Sequence, residues 1–433
     1  MTTTYDPTHP RYDNEDDMRD ELLRVYDLCH GCRLCFNLCP SFPSLFEAID
    51  AHDGDVEALS VAEQDKVVDE CYQCKLCYVK CPYVPPHEWE LDFPRLMLRN
   101  TVVRRKDDGL RAKLTDQALG RTDLVGTLST MVAPLANAVT QTPGSLPRRV
   151  MEKVTGIAAE RMLPPYARQR FSTWFKRRVT PTLTRRQGSV TVFPTCLVEY
   201  QNPAIGKDLV AVYERNGVAC SPAEGAGCCG APFLHAGDFD SFMSQARKNV
   251  PILAAEVRAG RDIVVPQPTC GYVLKKDYPD YVGGPDAALV GANTYDAAEY
   301  LMKLHKGEDT ELDTSFEGSV PESISYHVSC HLQAQNIGLK SRDLMKLTGT
   351  TIKLVNKCSG IDGTWGYRAE NYELARMVAQ PLARAIEDHD CEVVAGDCHL
   401  ANGAIEQETA RRVLHPLQVL ARAYGIAEET TTS

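Results

Sequence analysis

The densest chemistry in this chain lies in two cysteine runs, "CHGCRLCFNLCP" at 29–40 and "CYQCKLCYVKCP" at 71–82. Each spells Cys-x2-Cys-x2-Cys-x3-Cys-Pro. Three thiolates at that spacing wrap one corner of an iron–sulfur cubane, and the fourth, turned aside at the proline, reaches a second cluster. The runs therefore predict one cluster on Cys29, Cys32, Cys35 and Cys81, and another on Cys71, Cys74, Cys77 and Cys39. Structural zinc also uses Cys-x2-Cys pairs, but as two separated pairs per site, which leaves the tripled spacing unexplained.

A second cysteine pattern occupies the other half of the chain. "SVTVFPTC" ends in Cys196 and "SISYHVSC" in Cys330; "DIVVPQPTC" ends in Cys270 and "CEVVAGDC" in Cys398. Between the members of each pair lies a glycine-flanked turn, "GCCGAPF" (227–233) with Cys228 and Cys229, then "KCSGIDGTW" (357–365) with Cys358. The similar offsets mark a duplicated unit. A single buried cysteine is usually an inert packing residue, but seven in equivalent places point to ligand clusters. The first copy has four thiolates, enough for a [2Fe–2S] or [4Fe–4S] cluster or a closed zinc site. The second has three, with His327, His331, His399 and Asp397 close in sequence. A centre with three protein thiolates can keep its fourth position open for water, substrate or a weak ligand. His331 and His399 directly follow ligand-type cysteines, so they could ligate, donate protons or orient a partner; the alternative is a histidine hydrogen-bonded near a strand end. Ser359 is expected to satisfy its hydroxyl on the turn backbone. Trp365 and Tyr367 are expected to pack the helix behind that turn.

These residues need elements to position them. Between the N-terminal runs, apolar residues recur at helical intervals (Leu45, Ile49, Val56, Leu59, Val67, Val68), which predicts a helical insert that brings the runs back together. From about residue 188, short β-branched runs alternate with helical stretches. That pattern predicts parallel α/β layers, whose ligands sit beyond the carboxyl ends of the strands. The predicted fold class is multidomain α+β and α/β. It comprises an α-helical 2[4Fe–4S] domain over 1–100, a basic helical linker over 101–187 and two repeated cysteine-rich α/β domains over 188–312 and 313–433.

The bulk numbers bound the function. A chain of 433 residues implies two to four domains. Its 17 cysteines, with no secretory signal at the polar, acidic start, argue for metal or redox chemistry in the cytoplasm rather than a disulfide framework. No apolar run is long enough to span a bilayer; the nearest, "LVGTLSTMVAPLANAV" (124–139), is broken by Thr127, Ser129, Thr130, Pro134 and Asn137. A net charge of −11 argues against nucleic acid as partner. Against that balance, 99–186 is basic, with "RRK" (104–106), "RR" (148–149), "KRR" (176–178) and "RR" (185–186). The expectation is a solvated linker; the alternative is a docking surface for an acidic partner or the anionic inner face of a membrane.

Together the two patterns resemble the iron–sulfur oxidoreductases that fuse a two-cluster ferredoxin domain to two cysteine-rich "CCG" domains. That group includes the C subunit of anaerobic glycerol-3-phosphate dehydrogenase, the glycolate oxidase iron–sulfur subunit and, without the fused ferredoxin, the B subunit of heterodisulfide reductase. Further resemblance lies in "RTDLVGTLSTMVAPLANAV", "NPAIGKDLVAVYERNGV" and "GTWGYRAENYELARMVAQPLARAIE". "CPYVPPHEWELDFPRLMLR" and "CSGIDGT" resemble a heterodisulfide-reductase-related subgroup encoded beside rubrerythrin-like proteins. The family pattern is a cysteine, then Cys-Cys-Gly, then Cys-x2-Cys. Carried over, it implies metal ligation by Cys196, Cys228, Cys229 and Cys270, with Val273 at the last position. It implies the same for Cys330, Cys358 and Cys398, with Ser359 and Ala401 at the two missing positions.

The function this implies is electron relay through two [4Fe–4S] clusters to or from a metal centre in the repeats. Cys330, Cys358, Cys398, His331 and His399 are the candidate catalytic residues. Implied partners are a flavin dehydrogenase subunit or a rubrerythrin-like protein, with quinone or a disulfide as other candidates for the far end of the relay. Two alternatives stand beside it. One is a membrane-associated electron carrier of the glycerol-3-phosphate dehydrogenase type, peripheral on the inner membrane face through the amphipathic 124–139 segment. The other is a non-catalytic scaffold or redox sensor with structural zinc in the repeats.

Overall fold

The computed structural model describes residues 5–361 and 363–426. Helix α1 (Glu15–Cys32) starts at Asn14, whose side chain accepts the Asp17 amide, and sets Met18, Leu22, Val25 and Tyr26 on one face. That face joins an apolar core with α2 (Ser41–Ala51), α3 (Val61–Asp69) and the cysteine-bearing α4 (Leu76–Lys80). Helix α5 (Phe93–Arg104) closes the core with Phe93, Leu96 and Met97. Ser60 and Glu63 form a reciprocal cap at the start of α3. The helical insert is thus present, and it returns the second cysteine run to the first.

Five helices follow: α6 (Leu110–Gly120), α7 (Thr122–Met131), α8 (Ala133–Thr140), α9 (Leu146–Thr155) and α10 (Phe171–Arg177). The expectation of a merely solvated basic segment needs correction. Arg104 pairs with Asp65 and Asp69, Arg105 with Asp116 and Asp238, and Arg178 with Glu214. Arg148 is fully buried and donates to the carbonyl oxygens of Thr140, Ala158 and Arg161. Much of the positive charge is therefore consumed inside the fold. Beside exposed Arg121, Arg149 and Lys153, these helices also expose apolar side chains: Leu124, Leu128, Met131, Val132 and Leu135 along α7–α8, and Leu146, Val150 and Val154 on α9.

Two four-stranded parallel sheets complete the chain. The first comprises β1 (Gly188–Val192), β2 (Val218–Pro222), β3 (Asp262–Val265) and β4 (Thr294–Asp296), in the order β2-β1-β3-β4. The second comprises β5 (Ser323–His327), β6 (Thr351–Val355), β7 (Val393–Gly396) and β8 (Val413–Leu414), in the matching order β6-β5-β7-β8. Identical order in both sheets is the structural form of the repeat. Both faces of β3 are covered, so the pleat sends Ile263 and Val265 into one apolar cluster and Val264 into another. The helix Pro416–Ala423 adds Leu417 and Leu420 to the core that holds Leu209 and Tyr213 of the first repeat. The two repeats therefore share apolar packing.

The strands end short of their cysteines. Cys196, Cys270 and Cys330 lie in short helices beginning at Thr195, Pro268 and Cys330, and Cys398 caps the helix His399–Thr409. In each sheet the strand order reverses beside its first strand. The cysteines cluster beyond the carboxyl ends at that reversal, where parallel α/β folds place their ligands.

Candidate metal centres

The N-terminal runs turn in the same way. Arg33 in the first and Lys75 in the second hold equivalent positions and both take the left-handed conformation (φ 52° and 65°). Cys29, Cys32, Cys35 and Cys81 line one pocket, walled by Leu28, Phe46 and Leu91. Cys39, Cys71, Cys74 and Cys77 line a second, walled by Leu38, Phe93 and Pro94, and Phe42 borders both. No histidine or carboxylate lines either pocket; besides the thiols, the polar side chains there are Tyr83 in the first and Tyr72, Gln73 and Lys75 in the second. Burial pushes the Cys29, Cys39 and Cys77 thiols up, so they ionise only when a cation compensates the charge. Four thiols in each of two largely apolar nests, with no carboxylate or imidazole beside them, fit iron–sulfur clusters. The first nest reaches the surface through exposed Cys32, with exposed Leu34 and Phe36 beside it; Cys74 and Cys77 of the second are buried.

In the first repeat, Cys196 follows β1, Cys228 and Cys229 follow β2, and Cys270 follows β3. Cys229 Sγ lies 3.2 Å from Cys270 Sγ. Gly230 turns the chain after the cysteine pair with φ 90°, a conformation that favours glycine, and its amide reaches Cys228 Sγ at 3.5 Å. Thiol hydrogen bonds from Cys196 and Cys229 pull Cys228 well below the ordinary thiol range. The bond to Cys228 and burial push Cys196 up. Helix α7 covers this centre: the Asp123 carboxylate accepts the Cys228 amide at 2.8 Å and the Tyr200 hydroxyl at 3.4 Å.

The second repeat is arranged differently. Cys330, Cys358 and Cys398 line a cavity of about 220 Å³, and Cys74 of the N-terminal domain lines it too. The Tyr72 hydroxyl lies 3.2 Å from Cys358 Sγ. The Gly360 amide reaches the same sulfur at 3.3 Å, as Gly230 does in the first repeat. From the first repeat, Gln267 Nε2 donates to Cys398 Sγ at 3.2 Å. Among the described residues, no three His, Cys, Asp or Glu side chains form a ready single-ion site.

The histidines divide. His331 Nε2 donates to the Gln73 carbonyl at 3.1 Å and Nδ1 accepts from the Thr269 hydroxyl at 3.1 Å. That geometry ties the second repeat to the N-terminal domain and the first repeat, and makes His331 an orienting residue. Burial holds it neutral, with its pKa lowered to about 3. His327 also lines the cavity, and its Nε2 donates to the Lys357 carbonyl. His399, in contrast, is not among the cavity-lining residues; it lies half-buried near His415. Its place at the helix start turns it away from the thiols. Asp397 also stands off the cavity, accepting the Tyr326 and Ser341 hydroxyls.

Ser359 and Ala401 line the cavity, while Val273 is buried in the core of the first repeat. Tyr367 is buried beside Cys398 and Ala401. The expectation for Trp365 needs correction. Its Nε1 donates to the Asp69 carbonyl at 2.7 Å and its ring lies 4.9 Å from that of Tyr72, so it clasps the N-terminal domain. Sequence reasoning missed Tyr72, Gln267 and Asp123. Adjacency to Cys71 was a usable signal for Tyr72; nothing local marked Asp123.

Residues 190–275 and 324–402 match the cysteine-rich domain CCG, and residues 22–109 match the Fer4-like domain of citrate utilization protein B. The chain is 29% identical to the C subunit of anaerobic glycerol-3-phosphate dehydrogenase of Escherichia coli over 324 residues, covering 74% of this chain and 80% of the relative. It is 25% identical to the B subunit of fumarate reductase (CoM/CoB) of Methanothermobacter marburgensis, over 54% of this chain and 46% of that relative. It is 26% identical to lactate utilization protein A of Geobacillus kaustophilus, over 48% of this chain and 87% of that relative. The chain thus joins an N-terminal Fer4-like domain to two CCG cysteine-rich domains, and is homologous to the C subunit of the anaerobic glycerol-3-phosphate dehydrogenase.

Proposed function

We propose that this protein is an electron-transfer subunit of an iron–sulfur oxidoreductase, carrying electrons between a redox partner and the second-repeat cysteines. In this reading Cys29, Cys32, Cys35 and Cys81 hold one [4Fe–4S] cluster, and Cys39, Cys71, Cys74 and Cys77 hold the other. The clusters supply one-electron chemistry when bound. The exposed rim of Cys32, Leu34 and Phe36 suits docking of the partner subunit. The observation that carries the reading is that Cys74 shares a cavity with Cys330, Cys358 and Cys398, while Tyr72 bridges to Cys358. The first-repeat centre, covered by α7, serves as a support rather than a terminus.

The test is anaerobic rapid-mixing reduction followed by electron paramagnetic resonance. Signals of the N-terminal clusters should appear before that of the second-repeat centre, and Cys74→Ser should interrupt the later signal while the Cys29 cluster stays reducible. Unchanged reduction of the second-repeat centre in that variant would overturn the order. Total iron clearly above the roughly eight atoms of two cubanes should accompany an iron-containing repeat centre.

A second reading concerns the exposed apolar face of α7–α9. Met131, Leu135 and Leu146 are each at least 70% exposed, an arrangement that suits a membrane surface or a partner subunit. No described helix is long and apolar enough to cross a membrane. Vesicle co-sedimentation abolished by polar substitutions at Leu124 and Val132 supports the lipid surface. Co-purification with a dehydrogenase subunit, lost in the same variant, supports the protein partner.

A further inference from the structure

The two N-terminal cysteine loops carry a cation at the same place and treat it in opposite ways. The Arg33 side chain, after Cys32, is 42% exposed, pairs with Asp50 and lies off the pocket of Cys29, Cys32, Cys35 and Cys81. Lys75, after Cys74, is 5% exposed and lines the pocket of Cys39, Cys71, Cys74 and Cys77. Neutral groups hold its ammonium: Nζ donates to Gln73 Oε1 at 2.6 Å and lies 6.0 Å from the ring centroid of Tyr272. The other end of the Gln73 amide donates to the Pro94 carbonyl at 3.0 Å and stands 3.7 Å from Cys71 Sγ. A cation on the oxygen polarises the amide, so its nitrogen end presents more positive charge to the sulfur. Where the second loop has Gln73, the first has Gly31, with no side chain to relay a charge. Other cations near the first nest are paired or screened: Arg24 is bound to Glu21, and Lys80, near Cys35, is exposed. The charge of Asp92 also bears on Cys81 there. The buried Asp277 carboxyl feels Lys75 through space but feels Arg95 as well, so it offsets the cation in part.

We propose that Lys75, relayed through Gln73, raises the reduction potential of the cluster on Cys39, Cys71, Cys74 and Cys77 above that of the cluster on Cys29, Cys32, Cys35 and Cys81. This rests on the two cubanes of the proposed function and adds a direction to the transfer between them, downhill from the surface loop toward the second repeat. One electron leaves the Cys32 loop and one arrives at the Cys74 loop; no proton moves. Iron–sulfur potentials respond to net charge, hydrogen bonds to sulfur and solvent exposure. Exposure works the other way here, since water favours added charge, but it reaches the first nest at a single exposed thiol, Cys32. A whole cation held out of water acts more strongly than hydration at one corner. Lys75 and Gln73 act through the sulfurs and are positioning residues.

The test is a potentiometric titration of the anaerobic, iron-loaded full chain followed by electron paramagnetic resonance, with Cys32→Ser and Cys74→Ser identifying which signal belongs to which loop. In the native chain the Cys74 signal should half-reduce at the higher potential. Lys75→Met should lower it, so that at a fixed potential the reduced-to-oxidised ratio falls about tenfold, or ~59 mV for one electron. Gln73→Leu should lower it by less, Lys75→Arg should keep most of the native value, and Arg33→Gln should move neither signal. Native iron content and an unchanged cubane spectrum identify the variants that fold and load. A Cys74 signal at or below the Cys32 signal in the native chain overturns the inference, whatever the variants do. So does a Cys74 signal that neither Lys75→Met nor Gln73→Leu shifts. Two intact cubanes of equal potential remove this inference and leave the cluster assignment standing; fewer than two cubane signals in the native chain overturn both.

Discussion

In the first repeat, Asp123 of α7 lies over the cysteine turn and accepts the Cys228 amide. In the second, the space beside the matching cysteine is taken by Tyr72 and an open cavity. The same strand order thus supports a covered centre and an accessible one. The difference comes from what each sheet is docked against: a linker helix in one case and the cysteine-rich loop around Tyr72 and Cys74 in the other. On the function proposed above, the covered centre serves rigidity, while the one that shares a cavity with Cys74 exchanges electrons.

The largest effect should come from deleting one thiol in each repeat. Cys358→Ser should abolish the second-repeat redox signal and the terminal electron-accepting activity, with the N-terminal clusters and thermal midpoint nearly unchanged. Cys228→Ser should lower the thermal midpoint and release metal from the first repeat. Metal analysis, spectroscopy and calorimetry together check both. If Cys228→Ser removed the activity and spared stability, the roles assigned to the repeats would be reversed.

The next effect concerns how the repeats dock. The segment Val273–Val282 of the first repeat buries Asp277 against the N-terminal domain. Burial raises this carboxyl to about 6, against the opposing pull of Lys75 and Arg95, while Asp280 and Asp92 add to the rise. A folded-state value above the unfolded one means that its stabilising contribution is full below about pH 4 and is lost as pH rises through 6. Asp277→Asn should therefore gain stability relative to the native chain across that window, by up to about 3 kcal/mol. Denaturant midpoints at several pH values measure this. A pH-independent difference would mean that Asp277 is not protonated in the folded protein.

Asp123→Ala strips the cover from the first centre. It leaves the Cys228 amide without its acceptor and should destabilise the fold by about 1–3 kcal/mol, with little change at the second-repeat centre. Denaturation and metal retention report the outcome, and equal perturbation of both centres would break the contrast. The smallest effect belongs to Tyr72→Phe. Losing a hydrogen bond to sulfur should lower the reduction potential of the second-repeat centre and slow its reduction by at most about tenfold, while the first repeat is untouched. A redox titration that moves neither centre would limit Tyr72 to packing.

Which cysteines gather around a shared pocket was legible in the sequence because the spacing is local. Three thiolates within seven residues must face one another, and a strand followed by a tight turn must present its next cysteine at the sheet edge. The contacts that distinguish the two centres were not legible, since they join distant parts of the chain. Tyr72 meets Cys358 across 286 residues and Trp365 meets Asp69 across 296. His399 shows the converse error. Adjacency to Cys398 suggested a shared site, but a helix start sends neighbouring side chains in different directions. The basic segment misled for a similar reason, because its acidic partners, such as Asp65, Asp238 and Glu214, lie outside it.

The clasp between the N-terminal domain and the second repeat also bears on biosynthesis. Tyr72 and Trp365, with Cys74 on the shared cavity, make the second repeat a cover over the loop that carries Cys71, Cys74 and Cys77. That cover is made 286 residues later in the chain. At ordinary elongation speeds the interval is on the order of tens of seconds. The loop therefore leaves the ribosome before its cover exists, so that, on the cluster assignment proposed above, translation itself leaves an interval for loading before closure.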